Sequence, residues 1–120
     1  MAALVLLAPV PGEVAREFAV ARPYAAGQHR GVDLRARVGQ VVRAPCGGMV
    51  VFAGRTPVGG AVTVRCGGRL VTLVPVRPAM ARGGVVRVRA VVGRVAGGHG
   101  GLHLSVRVGG RYVDPAPLME

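Results

Sequence analysis

The residues of this chain that could do chemistry are few, and two of them lie four positions apart. His29 and Asp33 stand on either side of Gly31, and a further histidine, His103, lies far downstream. The whole chain has only 3 histidines and 5 acidic residues. Two imidazole nitrogens and one carboxylate oxygen are typical protein ligands of a catalytic zinc ion, whose remaining position is taken by water. We therefore predict that His29, Asp33 and His103 bind zinc together.

Plainer interpretations of the same residues stay open. His29 and Asp33 could simply hydrogen-bond to each other in a polar loop. His103 lies between Leu102 and Leu104, so on an alternating strand it faces away from both leucines. It could then be a solvated histidine on the polar face of that strand.

The elements that must position these residues are β-strands. Hydrophobic residues make up 51% of the 120 residues, mostly Val, Ala and Leu, and 20 Gly and 9 Pro interrupt them. This composition favours strands and turns over helices. We predict an all-β fold in a single domain over residues 1–120, with an irregular lead-in at 1–28 and a core at 29–115.

Apolar runs and turn residues predict where the strands lie. Within the lead-in, residues 14–20 could form a short turn or strand. The predicted core strands are 49–53 and 61–66 joined by a loop, then 70–76, 85–92, 102–108, and 111–113 after a Gly109–Gly110 turn. The apolar run Ala2–Ala8 is too short to span a bilayer and lacks the basic region of a signal peptide. We interpret it as a first strand, with the remnant of an export signal as the alternative.

The net charge and composition of the chain indicate which classes of partner it could bind. All 16 basic residues are Arg and the net charge is +11, which predicts attraction to polyanions such as anionic cell-wall polymers. The same arginine excess could also reflect a GC-rich coding genome. Aromatic residues are only 3% of the chain, too few for the stacking that single-stranded nucleic acids require, so no specific nucleic-acid partner is expected. The absence of Lys excludes biotinyl and lipoyl carrier domains.

The two cysteines, Cys46 and Cys66, lie at the two outer ends of the first predicted hairpin. Paired strands could bring them together as a disulfide, which fits a protein in an oxidising compartment. Two buried free thiols are the alternative.

Three segments resemble the lysostaphin-type (LytM-like) zinc endopeptidases. His29-Arg30-Gly31-Val32-Asp33 resembles their H-x-G-x-D motif, and residues 39–54 are similar to their G-x-x-V-x-A-x-x-x-G-x-V-x-x-x-G segment. Residues 102–107 and 112–115 resemble their closing H-L-H-F-x-V-R strand and V-D-P terminus. The likeness spans residues 9–118 in the correct order and spacing.

The resemblance implies a compact, barrel-like antiparallel sheet with a groove, and a zinc ion held by His29, Asp33 and His103. It implies hydrolysis of peptide cross-links in bacterial peptidoglycan, with peptidoglycan peptides as partners and an extracellular or cell-wall-associated location. We expect a monomer.

The chain departs from this family at two positions. The family's two proton-transferring histidines fall on Val76 and Gly101, and loss of a general acid–base group costs about 10²–10⁴-fold in rate. The domain is therefore either a peptidase or a catalytically degenerate relative that binds cell-wall peptide or activates another hydrolase. A basic polyanion-binding module with strong salt dependence is a third hypothesis. His99 is a candidate substitute proton shuttle, or an exposed loop histidine.

Overall fold

The structure is a computed structural model that describes residues 5–19, 29–98 and 100–120. These residues form eleven strands and one turn of 3-10 helix, Ala116–Leu118. The strand bounds are, in chain order, β1 Val14–Arg16, β2 Val32–Leu34, β3 Val41–Arg43, β4 Gly48–Thr56, β5 Gly59–Cys66, β6 Arg69–Val74, β7 Val76–Pro78, β8 Val85–Val86, β9 Val91–Val95, β10 Leu102–Val108 and β11 Arg111–Val113. The predicted all-β fold class is confirmed.

The strands form two antiparallel sheets. The larger sheet has the order β1-β2-β10-β6-β5-β4-β8, with β11 also paired to β10. The smaller sheet has the order β3-β9-β7. No helix in the described part of the chain is long and apolar enough to cross a membrane.

One hydrophobic core lies between the two sheets, and side-chain alternation builds it. On β6, Val71 and Leu73 are fully buried, whereas Thr72 between them is not. The same alternation recurs on β10, where Leu102 and Leu104 are buried. Because successive side chains of a strand point to opposite faces, the larger sheet has one apolar face and one open face. The open face carries the candidate site.

Part of the described lead-in, residues 5–19, packs against the core of this domain. Leu6 is fully buried and Val10 is 2% exposed. Leu6 forms an isolated parallel bridge with Met119. Among residues 5–8, this bridge is the only β-pairing where a first strand was predicted. Residues 1–4 and 20–28, on which part of this prediction falls, lie outside the described residues.

Three predicted strand boundaries are wrong. The predicted strand 70–76 is divided at Pro75, since β6 ends at Val74 in the larger sheet and Val76 begins β7 in the smaller one. The hairpin does not have a long loop, because β4 and β5 continue to Thr56 and Gly59 and leave a two-residue turn. Residues 85–92 are not one strand, since β8 pairs with β4 in the larger sheet and β9 pairs with β3 and β7 in the smaller. Alternating Val and Arg fitted a single strand, but Arg89 adopts a positive φ of 72° that interrupts it. The predicted strand 102–108, the Gly109–Gly110 turn and the return strand 111–113 are confirmed.

Candidate metal centre

Asp33 and His103 are brought together by the pairing of β2 with β10. The two residues are direct partners in the antiparallel register. Their sequence neighbours Val32, Leu102 and Leu104 are fully buried, so Asp33 and His103 project from the open face of the sheet. Residues 70 positions apart thereby share one site.

His29 joins this pair from the loop before β2. Its backbone exchanges two hydrogen bonds with Ala19, at 2.6 and 2.8 Å. Its ring Nδ1 lies 2.7 Å from the backbone carbonyl oxygen of Glu17. A carbonyl can only accept, so Nδ1 carries the proton and Nε2 is left with a lone pair. This contact sets the ring orientation, as the outer hydrogen bond of a metal-binding histidine commonly does.

The three potential ligand atoms converge on one point. His29 Nε2 lies 3.0 Å from Asp33 Oδ1 and 3.2 Å from His103 Nδ1, and His103 Nδ1 lies 2.7 Å from the same Asp33 oxygen. Ligands about 2.0–2.1 Å from a tetrahedral zinc ion are separated by about 3.3 Å. The observed separations are slightly shorter than this value, so small side-chain rotations accommodate the ion.

The lone pairs of this cluster could bind a cation at its centre. His29 Nε2 and Asp33 Oδ1 both present lone pairs and lie in hydrogen-bond range of each other. Two acceptors attract each other only when a proton or a cation lies between them. A metal ion at this point would accept lone pairs from all three side chains at once. The donor set of two imidazoles and one carboxylate therefore fits zinc.

Gly31 allows the loop of His29 to approach β10. A Cβ atom at this position would collide with the carbonyl oxygen of Leu104 and would lie 2.7 Å from Nε2 of His103. The glycine of the H-x-G-x-D motif is thus required by the close contact of two backbones, independently of any metal.

These residues form the floor of an open cleft of about 430 Å³, which we call the site cleft. His29 is nearly buried in its wall, whereas the side chains of Asp33 and His103 are 34% and 25% exposed. The cleft is lined by Ala15, Arg16, His29, Asp33, Leu34, Val58, Val74, Gly100, Gly101 and His103. Asp33 and His103 are therefore accessible from solvent.

The two positions that depart from the family pattern are placed differently. Gly101 lines the site cleft, and a Cβ atom there would lie 2.6 Å from the carbonyl oxygen of Leu34. Val76 is fully buried on β7 in the smaller sheet, and Val74 lines the cleft instead. His99, the predicted substitute proton shuttle, lies outside the described residues.

Two contributors to the site are absent from the sequence prediction. The carbonyl of Glu17 orients His29 through its backbone, and a backbone acceptor leaves no trace in residue type. Arg16 lines the cleft from β1. The only sequence signal for it was a basic residue near two glutamates in the lead-in, which is too weak to assign a role.

Cys46 and Cys66 form a disulfide, with their α-carbons 6.1 Å apart. It joins Cys46, two residues before β4, to the last residue of β5 on the buried side of the hairpin. Of the two sequence-based alternatives, the structure has the bridge. It lies in the core and takes no part in the site cleft.

Comparison with known proteins agrees with this fold. The model of Peptidase family M23 matches residues 27–115, and the chain therefore belongs to that family. It is 34% identical over 121 residues to the uncharacterized protein Rv2891 of Mycobacterium tuberculosis, with 92% of this chain aligned. The chain covers 49% of that protein, and so spans about half the length of the curated relatives it matches.

Two solved structures illustrate the shared fold. Helicobacter pylori Csd3 superposes with a TM-score of 0.85 at 22% identity, over 98% of this chain and 35% of Csd3. The catalytic domain of the antimicrobial peptidase lysostaphin from Staphylococcus simulans superposes with a TM-score of 0.78 at 18% identity, over 88% of this chain and 90% of that domain. The predicted kinship with lysostaphin-type peptidases is confirmed.

Proposed function

We propose that this domain binds zinc through His29, Asp33 and His103 and hydrolyses peptide bonds in the cross-links of bacterial peptidoglycan. The observation that carries the proposal is the convergence of three lone-pair atoms, separated by 2.7–3.2 Å, on the floor of an open cleft. Family membership supports the reaction class. When bound, zinc would polarise the scissile carbonyl and lower the pKa of its water enough to make a nucleophile near neutral pH.

The protein residues have separate tasks in this proposal. Nε2 of His29 and Nδ1 of His103 supply neutral ligands, and Asp33 supplies the one negative charge. The Glu17 carbonyl holds the His29 ring in the orientation that presents Nε2. Val58 and Val74 give the cleft an apolar side, against which the backbone of an extended peptide could lie.

The proposed setting is outside the cell, at the cell wall. A disulfide between Cys46 and Cys66 is typical of proteins exposed to an oxidising compartment. The net charge of +11 would attract the domain to anionic wall polymers.

A second candidate function is peptide binding without turnover, by a relative that has lost its proton-transfer groups. The observation in its favour is that Val74 and Gly101 line the site cleft with no group that could move a proton. In that case the cleft would hold a wall peptide, or the domain would activate another hydrolase.

One experiment separates these candidates. The purified protein is assayed for zinc content, and purified peptidoglycan is then incubated with it and the soluble peptides are measured with and without a chelator. Stoichiometric zinc and chelator-sensitive release support the peptidase. Zinc with peptide binding but no release supports the binding module. Absence of zinc from the folded protein overturns both. A His103→Ala variant is the control, because it removes one ligand from an exposed position of the sheet face.

A further inference from the structure

Four side chains form one row across four neighbouring strands of the larger sheet. Arg16 on β1 pairs with Asp33 on β2, Asp33 pairs with His103 on β10, and His103 pairs with Val74 on β6. Residues directly opposite each other on paired strands lie on the same face, with Cβ atoms about 4.5–5.5 Å apart. All four line the site cleft. Arg16 is therefore the immediate neighbour of a proposed zinc ligand, on the side opposite His103.

The charge of Arg16 is available to a ligand. Among the residues that the structure describes, Arg16 forms no ion pair with a carboxylate, whereas Arg35 pairs with Glu13. The Arg16 guanidinium is thus not ion-paired with the Asp33 carboxylate, and β1 is exposed along its length. A guanidinium stays protonated at any physiological pH and offers five N–H donors.

The rest of the cleft lining cannot supply this charge. Apart from the three proposed ligands, the other described lining residues are Ala15, Leu34, Val58, Val74, Gly100 and Gly101, none of which has an ionisable side chain. Peptide hydrolysis develops a negative charge on the carbonyl oxygen, and donors aimed at that oxygen are among the largest contributions to catalysis. Arg16 is the one permanent cation in the described lining.

We propose that Arg16 is a catalytic residue that stabilises the oxyanion of the tetrahedral intermediate, a role that rests on the proposed peptidase function. The attacking water oxygen bonds to the carbonyl carbon, and the carbonyl π electrons move onto the oxygen that Arg16 contacts. As the carbon–nitrogen bond breaks, those electrons return to restore the carbonyl. The leaving nitrogen takes up both protons of the water through solvent, one as the carbon–nitrogen bond breaks and one from the new carboxylic acid, and Arg16 gains and loses none. The products are a carboxylate and an ammonium.

This role would supply charge stabilisation in the cleft but not the proton transfer that the family's two histidines provide. An arginine stabilises charge but cannot relay a proton, so the proton would have to travel by solvent in the open cleft. Removing a single oxyanion donor costs about 10²–10³-fold in kcat. We expect that loss in Arg16→Gln, with KM changed less than threefold. Arg16→Lys keeps the charge without the planar pair of donors, so it should recover part of the rate.

The test uses the zinc-loaded protein and two matched ligands. One is a peptide phosphinate, a stable tetrahedral anion, and the other is the amide peptide of the same sequence. Calorimetry should show phosphinate binding weakened about 100-fold in Arg16→Gln, and amide binding weakened less than threefold. Arg87→Gln is the charge-matched control, because Arg87 is exposed, lies outside the cleft and lowers the net charge equally. Zinc content and thermal stability should be the same in all the variants.

The outcomes separate this inference from the proposed function. If the wild-type protein hydrolyses peptidoglycan and Arg16→Gln matches Arg87→Gln in rate and phosphinate affinity, the role of Arg16 is wrong and the peptidase stands. Equal weakening of phosphinate and amide binding would make Arg16 a substrate-binding residue and also overturn the inference. A zinc-loaded wild-type protein that neither turns over nor prefers the phosphinate overturns both proposals.

Discussion

Replacement of Gly31 by alanine should damage both the fold and the candidate metal site. The added methyl would meet the Leu104 carbonyl and lie 2.7 Å from Nε2 of His103. The carbonyl cannot rotate away, because β10 is paired on both sides, with β2 and with β6. The strain must therefore be relieved by separating the His29 loop from β10.

The expected size of this effect follows from the contact. Overpacking by one methyl group in a place that cannot relax costs about 1–3 kcal/mol. Gly31 does not have a positive φ, so alanine would otherwise stabilise the protein by about 0.4–1 kcal/mol through the unfolded chain. A net loss of stability in Gly31→Ala would therefore be caused by the collision. The net cost is then about 1–2 kcal/mol, and for a chain of this length 1 kcal/mol corresponds to about 3–6 °C in melting temperature, so we expect a decrease of about 3–12 °C.

The assay is denaturant and thermal unfolding of the metal-free protein, followed by zinc titration against a competing chelator. Displacement of the ring of His103 should lower zinc affinity about 10–100-fold, the range typical for disturbed support of a metal ligand. Gly68→Ala is the matched control, since it lies in a turn without positive φ and its added methyl would meet nothing within 4 Å. We expect Gly68→Ala to be neutral or slightly stabilising.

The reasoning would be refuted by a Gly31→Ala protein as stable as Gly68→Ala with unchanged zinc affinity. That result would mean that the loop and β10 are farther apart than the structure gives. Lower stability with unchanged zinc affinity would place the collision away from the ring of His103.

Three further predictions concern the metal, the disulfide and the core. Asp33→Asn should lower zinc affinity about 100-fold, because structural zinc binding of about 10–16 kcal/mol is shared among about four ligands; a chelator should then lower the melting temperature of the wild type and leave that of the variant unchanged. The double variant Cys46→Ala/Cys66→Ala should lose about 3 kcal/mol of unfolding free energy, measured with denaturant, since the bridge closes a loop of 20 residues. Reduction of the disulfide in the wild type should cause the same loss. A loss below 1 kcal/mol would contradict this prediction. Leu73→Ala, at a fully buried position, should lower the unfolding free energy by about 2–5 kcal/mol. Leu70→Ala, on the open face of the same strand, should lower it by about 1 kcal/mol or less. Similar losses at both positions would contradict the assigned faces of β6.

Much of the fold could be predicted from the alternation of apolar and polar residue types along the strands. The strand 102–108 was predictable because every second residue from Leu102 to Val106 is apolar, and the glycine pair after it has the two positive φ values that a tight hairpin turn needs. The prediction of a single strand over residues 85–92 was wrong because a two-residue strand, a turn and the start of another strand can show the same alternation. Which sheet each piece joins depends on pairing partners distant in sequence, and local periodicity does not specify them.

By itself, the sequence determined the class of fold, the family and the three residues of the candidate metal site, since all three depend on residue types at fixed spacing. The tertiary structure decided what surrounds them. The Glu17 carbonyl that orients His29 is a backbone group, and every residue type has one. The place of Arg16 beside Asp33 depends on a pairing of β1 with β2 that crosses an irregular register. The site cleft brings together chain segments that are far apart in sequence, and only the folded sheet sets the distances between them.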